Sequence, residues 1–180
     1  MKRISELVDV VERARERVLE TVAGRSAEQA AFKPCPEVWS ASEVLEHLYA
    51  SEFIVLNLLW RGIDGSRANR PVWDKEHTNR GRSIDAIAAV FVAGKFKAHP
   101  RTEVKVGGPL SFWIGALEAC QPMLERTGSA LEEVDREAIV FPHFVVGPLD
   151  ANQWVPFLGL HLDRHRLQIE KLRTVEGFPE

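Results

Sequence analysis

The sequence has few cysteines, no long apolar run and no excess of positive charge, and each absence argues against a class of protein. Its two cysteines, Cys35 and Cys120, form no Cys-x-x-Cys pair and cannot build a disulfide framework. The longest strongly apolar run, residues 53–60, is far shorter than the ~20 residues that span a bilayer. The amino terminus also lacks the apolar core of a signal peptide. We therefore expect a cytoplasmic protein with no membrane segment.

The overall composition is that of an ordinary globular protein. The chain has 180 residues, of which 45% are hydrophobic and 27% are charged, so it can bury a substantial core. Its formal net charge of −3 provides no basic field for nucleic acid. We predict a single domain over residues 1–180, with a small molecule rather than nucleic acid as its partner.

Two long helices are predicted from capping signals. Ser40 followed by Glu43 forms a capping box, which predicts a helix over 40–60. Asp150 followed by Gln153 repeats the pattern and predicts a helix over 150–173, with a bend at Pro156. A third helix is predicted over 4–23, where apolar residues recur every three or four positions and Gly24 ends the pattern.

The middle of the chain gives weaker signals. Helical spacing over 110–135 is interrupted by Pro122, which predicts a kink or break there. A short helix is predicted over 84–93, within a polar connection that spans 62–109. Residues 138–148 have the composition of an extended segment, but few other segments could pair with it in a sheet.

Four long amphipathic segments predict an all-α fold, a four-helix bundle. The connection over 62–109 is long enough to cross the length of the bundle, so the second and third helices can be parallel. The chain is therefore compatible with an up-down-down-up bundle as well as with a simple up-down one.

Two histidines on the last predicted helix are candidate metal ligands. His161 and His165 are four residues apart and lie on the stripe that faces the core. One interpretation is that each ring finds its own hydrogen-bond partner in the core. The other is that a single divalent cation satisfies both rings, because this spacing brings their nitrogens close together.

A third ligand is expected from the second predicted helix, where His47 lies at the margin of the apolar face. Antiparallel packing of the two helices would place His47 within about 5 Å of the level of the other two histidines, and parallel packing within about 10 Å. Antiparallel packing is the better match.

Two segments carry a family resemblance. "VWSASEVLEHLYASE" (38–52) and "PHFVVGPLDANQWVPFLGLHLDRHRLQIEKL" (142–172) resemble the DinB-like (DinB/YfiT) superfamily. Its members pair a helix capped after Trp-Ser, with one histidine, with a final His-x-x-x-His helix. The family's His-Pro order before that helix is replaced here by Pro142-His143, which leaves the role of His143 open. The resemblance implies an up-down-down-up bundle and a divalent metal site at His47, His161 and His165.

The resemblance leaves the reaction open. Some relatives resemble metal-dependent hydrolases, and others use low-molecular-weight thiols. We expect a metal-dependent transferase that acts on a small molecule with such a thiol; a hydrolase using water and a non-catalytic bundle acting through dimerisation are the alternatives. Nickel and zinc both suit imidazole ligands. A homodimer is expected, and the 62–109 and 138–148 segments are expected to wall the site.

Two further features are candidates of lower rank. Gln168 lies one turn beyond His165 on the same face, where it could contact the site or a substrate; an amide at the edge of the core is the favoured interpretation. Four arginines surround Trp73 within residues 66–83, but Asp74 and Glu76 lie among them, which favours a solvated charged segment over a patch for nucleic acid or an anionic substrate.

Overall fold

The protein is mainly helical, as predicted. A computed structural model describes residues 3–70, 72–94 and 96–180, with the backbone alone at 92 and 93. Residues 71 and 95, in the predicted 62–109 connection, and the first two residues lie outside this description. The helices are α1 (Ile4–Val22), α2 (Ala27–Ala31), α3 (Ala41–Arg67), α4 (Ile84–Ala93), α5 (Leu110–Glu118), α6 (Cys120–Leu131) and α7 (Ala151–Leu172). Among the described residues, no helix combines the length and apolar character needed to cross a bilayer.

The capping signals placed the starts of α3 and α7 correctly. The Ser40 hydroxyl accepts the Glu43 backbone N–H, and the Glu43 carboxylate accepts the Ser40 N–H. Asp150 and Gln153 form the same reciprocal pair at the start of α7, which continues through Pro156 to Leu172. These local hydrogen bonds determine where both site-bearing helices begin.

The predicted end of α3 at residue 60 was wrong, because the helix continues to Arg67. Ile63 is fully buried, so the additional turns keep an apolar side chain in the core. Gly62 is needed for close packing, since a Cβ there would lie 2.3 Å from Cγ2 of Ile139. The absence of a side chain at Gly62 thus lets α3 lie directly against Ile139.

The predicted helix over 110–135 is two helices, α5 and α6, which meet at Ala119. The break precedes Pro122 by three residues and does not fall on it. Pro122 lies in the first turn of α6, where a residue without an N–H costs no intrahelical hydrogen bond. Helix α6 ends at Leu131, not at the predicted residue 135.

The all-α prediction was wrong in one respect, because the 138–150 segment forms a hairpin of two strands. Strand β1 (Val140–His143) pairs antiparallel with β2 (Gly147–Asp150), with Val140 opposite Asp150. The extended segment therefore finds its pairing partner within itself. The Trp154 indole N–H donates to the Phe141 carbonyl at 3.0 Å and ties the hairpin to the start of α7.

The core joins α1, α3, α5, α6 and α7 in one buried apolar cluster. Contacts between α1 and α7 advance in the same order along both helices: Gly159 of α7 lies against Val10 of α1, and Asp163, further along α7, pairs with Arg17. This extensive packing fixes one of the two helices that carry the histidines.

The other histidine-bearing helix, α3, packs against α5 and α6. Tyr49 lies near Trp113 in α5, with ring centroids 6.0 Å apart, and the Trp60 indole N–H donates to the Thr127 hydroxyl in α6 at 2.9 Å. The second contact lies further along the chain than the first both in α3 and in the α5–α6 segment. The up-down-down-up arrangement of the helices stays a prediction.

Replacement of Ser40 by alanine is expected to destabilise the fold by about 0.5–2 kcal/mol, because it removes a helix N-cap. Denaturant unfolding gives the measurement. Ser5→Ala is a matched control on the exposed surface of α1 and should change stability by less than about 0.5 kcal/mol. An unchanged midpoint for Ser40→Ala would show that the cap contributes nothing to stability.

Candidate metal centre

Three histidines from two helices meet at one point, as predicted. His47 comes from the second turn of α3, and His161 and His165 from successive turns of α7. One ligand nitrogen of each ring lies within 4.8 Å of the other two. The Nε2 atoms of His47 and His161 are 3.2 Å apart. Imidazole groups that converge in this way could hold a single metal ion.

Two of the rings are oriented by hydrogen bonds on their Nδ1 atoms. Nδ1 of His47 lies 2.7 Å from the carbonyl oxygen of Thr102, and Nδ1 of His165 lies 2.9 Å from Oε1 of Gln168. Since both partners are acceptors, each Nδ1 carries the proton and each Nε2 keeps its lone pair. The amide of Gln168 is therefore part of the site, and its interpretation as a core-edge group understated its role.

All three imidazoles are held in the neutral form that binds metals. Burial lowers the pKa of His47 below 6.5, against an opposing effect of the hydrogen bond to Thr102. Burial lowers the pKa of His165 to about 3, with a further contribution from His47. Burial also lowers the pKa of His161 well below 6.5, and the two neighbouring histidines add to this effect. At neutral pH the cluster therefore offers lone pairs without added positive charge.

Aromatic rings surround the cluster. The Trp39 ring lies 4.8 Å from the His47 ring and 6.4 Å from the His165 ring, between centroids. The Phe91 ring lies 6.0 Å from that of His161. This apolar shell keeps the rings in place and lowers the local dielectric, which strengthens electrostatic interactions at the site.

The cluster lies in the wall of a cavity of about 420 Å³. Residues 96–102 and 141–144 supply other parts of the wall, which confirms the prediction that the long connection and the segment before α7 enclose the site. The volume falls within the range of about 300–1,000 Å³ that is usual for small-molecule sites. The cavity is large enough for a small organic molecule beside the histidines.

A carboxylate next to His47 anchors the loop that reaches the site. Glu46 is buried, and its two oxygens accept the backbone N–H groups of Lys105, Val106 and Gly107 at 2.6, 2.8 and 2.8 Å. The same loop presents the Thr102 carbonyl to His47. Neither contact was predicted, because no periodicity in the sequence relates α3 to a loop almost sixty residues away.

The remaining histidines lie outside the cluster. His77 Nε2 lies 3.2 Å from the Gln153 amide oxygen, and His99 accepts the backbone N–H of Arg101. His143 lines the cavity, where Nδ1 accepts the Val145 N–H at 3.1 Å; burial lowers its pKa to about 4, with a contribution from His99.

The cysteines and the arginine-rich segment also lie apart from the site. Cys120 is buried and its pKa is raised to about 12, first by burial, so it is not a reactive thiolate at neutral pH. Cys35 is exposed and does not line the cavity. The described residues of 66–83 contribute nothing to the cavity wall either, and Arg67 pairs with Glu133 at 2.7 Å.

The sequence over residues 11–169, which includes all three histidines of the cluster, matches the family model of the DinB superfamily. The chain belongs to the DinB superfamily. This membership confirms the resemblance seen at residues 38–52 and 142–172 and extends it across most of the chain.

A curated relative of this DinB-superfamily protein is the uncharacterized protein YuaE of Bacillus subtilis (strain 168). It is 25% identical over 157 residues, which cover 83% of this chain and 86% of YuaE. Its name assigns no activity. No solved structure matches the chain significantly.

Proposed function

We propose that this DinB-superfamily protein binds one divalent cation, nickel or zinc, through His47, His161 and His165. We propose further that it is a transferase that acts on a small molecule and uses a low-molecular-weight thiol as its co-substrate. The observation that carries the proposal is the convergence of three neutral imidazoles, with ligand atoms within 4.8 Å of one another, on the wall of a cavity.

The residues present fit a divalent cation. The Nδ1 protons of His47 and His165 are bound by the Thr102 carbonyl and the Gln168 amide, which leaves both Nε2 lone pairs available. Hydrogen bonds of this kind are the usual second layer around metal-binding histidines. A set of nitrogen donors suits both nickel and zinc.

The chemistry follows from the charge of the ligands. When bound by three neutral imidazoles, a divalent cation retains its full charge and lowers the pKa of a thiol or water beside it. The protein's own residues orient the ligands and enclose the reactants: Thr102 and Gln168 hold the imidazole rings, while Trp39 and Phe91 limit access of bulk water.

We also propose the up-down-down-up order for the four long segments α1, α3, α5 with α6, and α7. The matching order of contacts supports a parallel α1–α7 pair and a parallel α3–α5/α6 pair. The position of His47 near the start of α3, against the second half of α7, supports opposite directions for those two helices. The sequence prediction that antiparallel packing best brings His47 level with His161 and His165 rests on these same positions along the two helices.

The thiol reaction can be tested with a cobalt-substituted protein. A panel of low-molecular-weight thiols is added, and visible absorption is recorded for a sulfur-to-metal charge-transfer band. We expect a strong band with at least one thiol. Absence of a band with every thiol, together with ester or amide turnover that is lost in His47→Ala, would replace transferase by hydrolase. Absence of the charge-transfer band and of any ester or amide turnover would favour the non-catalytic alternative.

Glu46→Gln is expected to weaken metal binding about tenfold, in the range typical of residues that support metal ligands. A glutamine amide would place N–H groups against backbone N–H groups, so the loop at 105–107 would loosen and Thr102 would hold His47 less firmly. Competition with a chelator measures the affinity, and hydrogen exchange measures the loop. Glu43→Gln offers a control on the same helix. Unchanged affinity with faster exchange would show that the loop does not support the site.

The expected homodimer stays a proposal. Its test is the mass of the protein in solution by light scattering after size-exclusion chromatography. A monomer at all concentrations would remove dimerisation from the functional alternatives.

A further inference from the structure

The charge of the cavity wall differs from that of the chain as a whole. The chain carries 26 acidic and 23 basic residues. Among the described residues that line the cavity, however, the charged side chains are Lys97, Arg101 and Arg164, and no aspartate or glutamate is present. A wall in which charges of one sign gather concentrates the opposite charge in the space that it encloses. The cavity therefore favours an anion.

The three cations have different settings. The Arg164 guanidinium lies 4.8 Å over the Phe91 ring and donates to the Gly94 carbonyl at 2.9 Å, so it is held in place at the end of α4. Lys97 and Arg101 belong to the exposed segment that follows α4. No ion pair among the described residues engages either of these two side chains. They are therefore available to a ligand.

Arg101 is also close to the histidine cluster along the chain. It immediately precedes Thr102, whose carbonyl accepts from His47 at 2.7 Å. The loop that orients a histidine thus also carries a cation of the cavity wall. A ligand in the cavity can therefore contact both the histidines and this segment.

The rest of the wall is largely apolar and aromatic. Phe91 and Phe96 are stacked with centroids 6.2 Å apart, and Phe157 lies 5.0 Å from Phe91. Aromatic faces favour a flat or apolar ligand body by burial and stacking. A small inorganic anion would bury little of this apolar surface, whereas a ligand with an apolar body would bury more of it.

We propose that the cavity binds an organic anion with an aromatic or otherwise apolar body, whose carboxylate or sulfonate pairs with Lys97 and Arg101. This inference rests on the proposed function in one point, namely that the reactive end of the ligand lies at the three histidines. The charge preference itself requires no metal, so it can be tested separately.

The test compares 2-naphthoate with its neutral analogue 2-naphthylmethanol by isothermal titration calorimetry. Both are titrated into the protein as purified and after removal of metal by a chelator. We expect naphthoate to bind about tenfold more tightly than the alcohol in both forms, as charge-assisted hydrogen bonds provide. The preference should decrease as salt is added.

Variants locate the anion. Lys97→Gln combined with Arg101→Gln should reduce the preference to less than about threefold while leaving alcohol binding unchanged. Arg80→Gln, an exposed arginine outside the cavity wall, is the matched control and should behave as the parent protein.

Three results would overturn the proposal: equal binding of the two probes to the parent protein, binding of neither, or naphthoate binding that survives the double substitution but is lost on removal of metal. The last would place the carboxylate on the metal. Failure of the cobalt–thiol experiment together with retained naphthoate preference would instead reject the proposed reaction and leave the charge assignment intact.

Discussion

His161→Ala and His165→Ala are each expected to abolish stoichiometric binding of a divalent cation. Each removes one of the three converging imidazoles, and the ligand that remains on α7 cannot compensate because its ring is already directed at the same point. His47→Ala should have the same effect. Metal analysis of the purified proteins gives the stoichiometry, and chelator competition gives the affinity.

Histidines outside the cluster provide matched controls for this prediction. His77→Ala and His99→Ala should retain one metal per chain, because His77 is bound to Gln153 and His99 accepts a local backbone N–H. Equal binding by the cluster variants and these controls would show that the metal site has been misplaced. Unfolding measured without metal should separate loss of ligands from loss of structure.

A large loss of folding stability is expected when the buried ion pair between Arg15 of α1 and Glu52 of α3 is broken. Their side chains are only 4% and 2% exposed, and Arg15 also donates to the Gln121 amide of α6. Arg15→Met should destabilise the fold by about 3–5 kcal/mol, because it leaves a buried carboxylate without its cation. Denaturant unfolding at pH 7 measures the loss.

Two comparisons decide whether charge burial is the cause. Arg15→Met combined with Glu52→Leu should be far less destabilising than Arg15→Met alone, since no unpaired charge remains. Arg17→Met, on the same helix, breaks the exposed pair with Asp163 and should cost less than about 1 kcal/mol. If the double variant loses as much as the single one, packing rather than charge accounts for the effect.

The pH dependence of Arg15→Met follows from Glu52. Burial raises the pKa of this carboxyl above 4.5, and Arg15 opposes the rise. Without Arg15 the folded-state pKa rises further above the unfolded one, so the folded state retains a proton that the unfolded state releases. The variant should be closest to the parent protein near pH 4.5 and lose relative stability as the pH rises. Urea unfolding at several pH values measures this, and a constant difference would contradict it.

Local signals in the sequence determined where the site-bearing helices begin and which histidines share a face. Ser40 with Glu43 and Asp150 with Gln153 are three residues apart, so one helical turn decides their hydrogen bonds. The i,i+4 spacing of His161 and His165 likewise places both rings on one side of any helix that contains them. Such features are properties of a short segment and can be predicted without knowing the fold.

The tertiary structure decided how these segments complete each other. The Thr102 carbonyl on His47 and the Glu46 anchor of residues 105–107 depend on the path of a loop that has no periodicity. The Arg15–Glu52 pair joins two residues that are 37 positions apart in the chain and lie on different helices. Contacts of this kind form only when the core has brought distant elements together, because neither partner carries a local preference for the other. The sequence by itself therefore determined the ligand-bearing helices and, through i,i+3 spacing, the position of Gln168 beside His165. Packing determined the loop contact that orients His47.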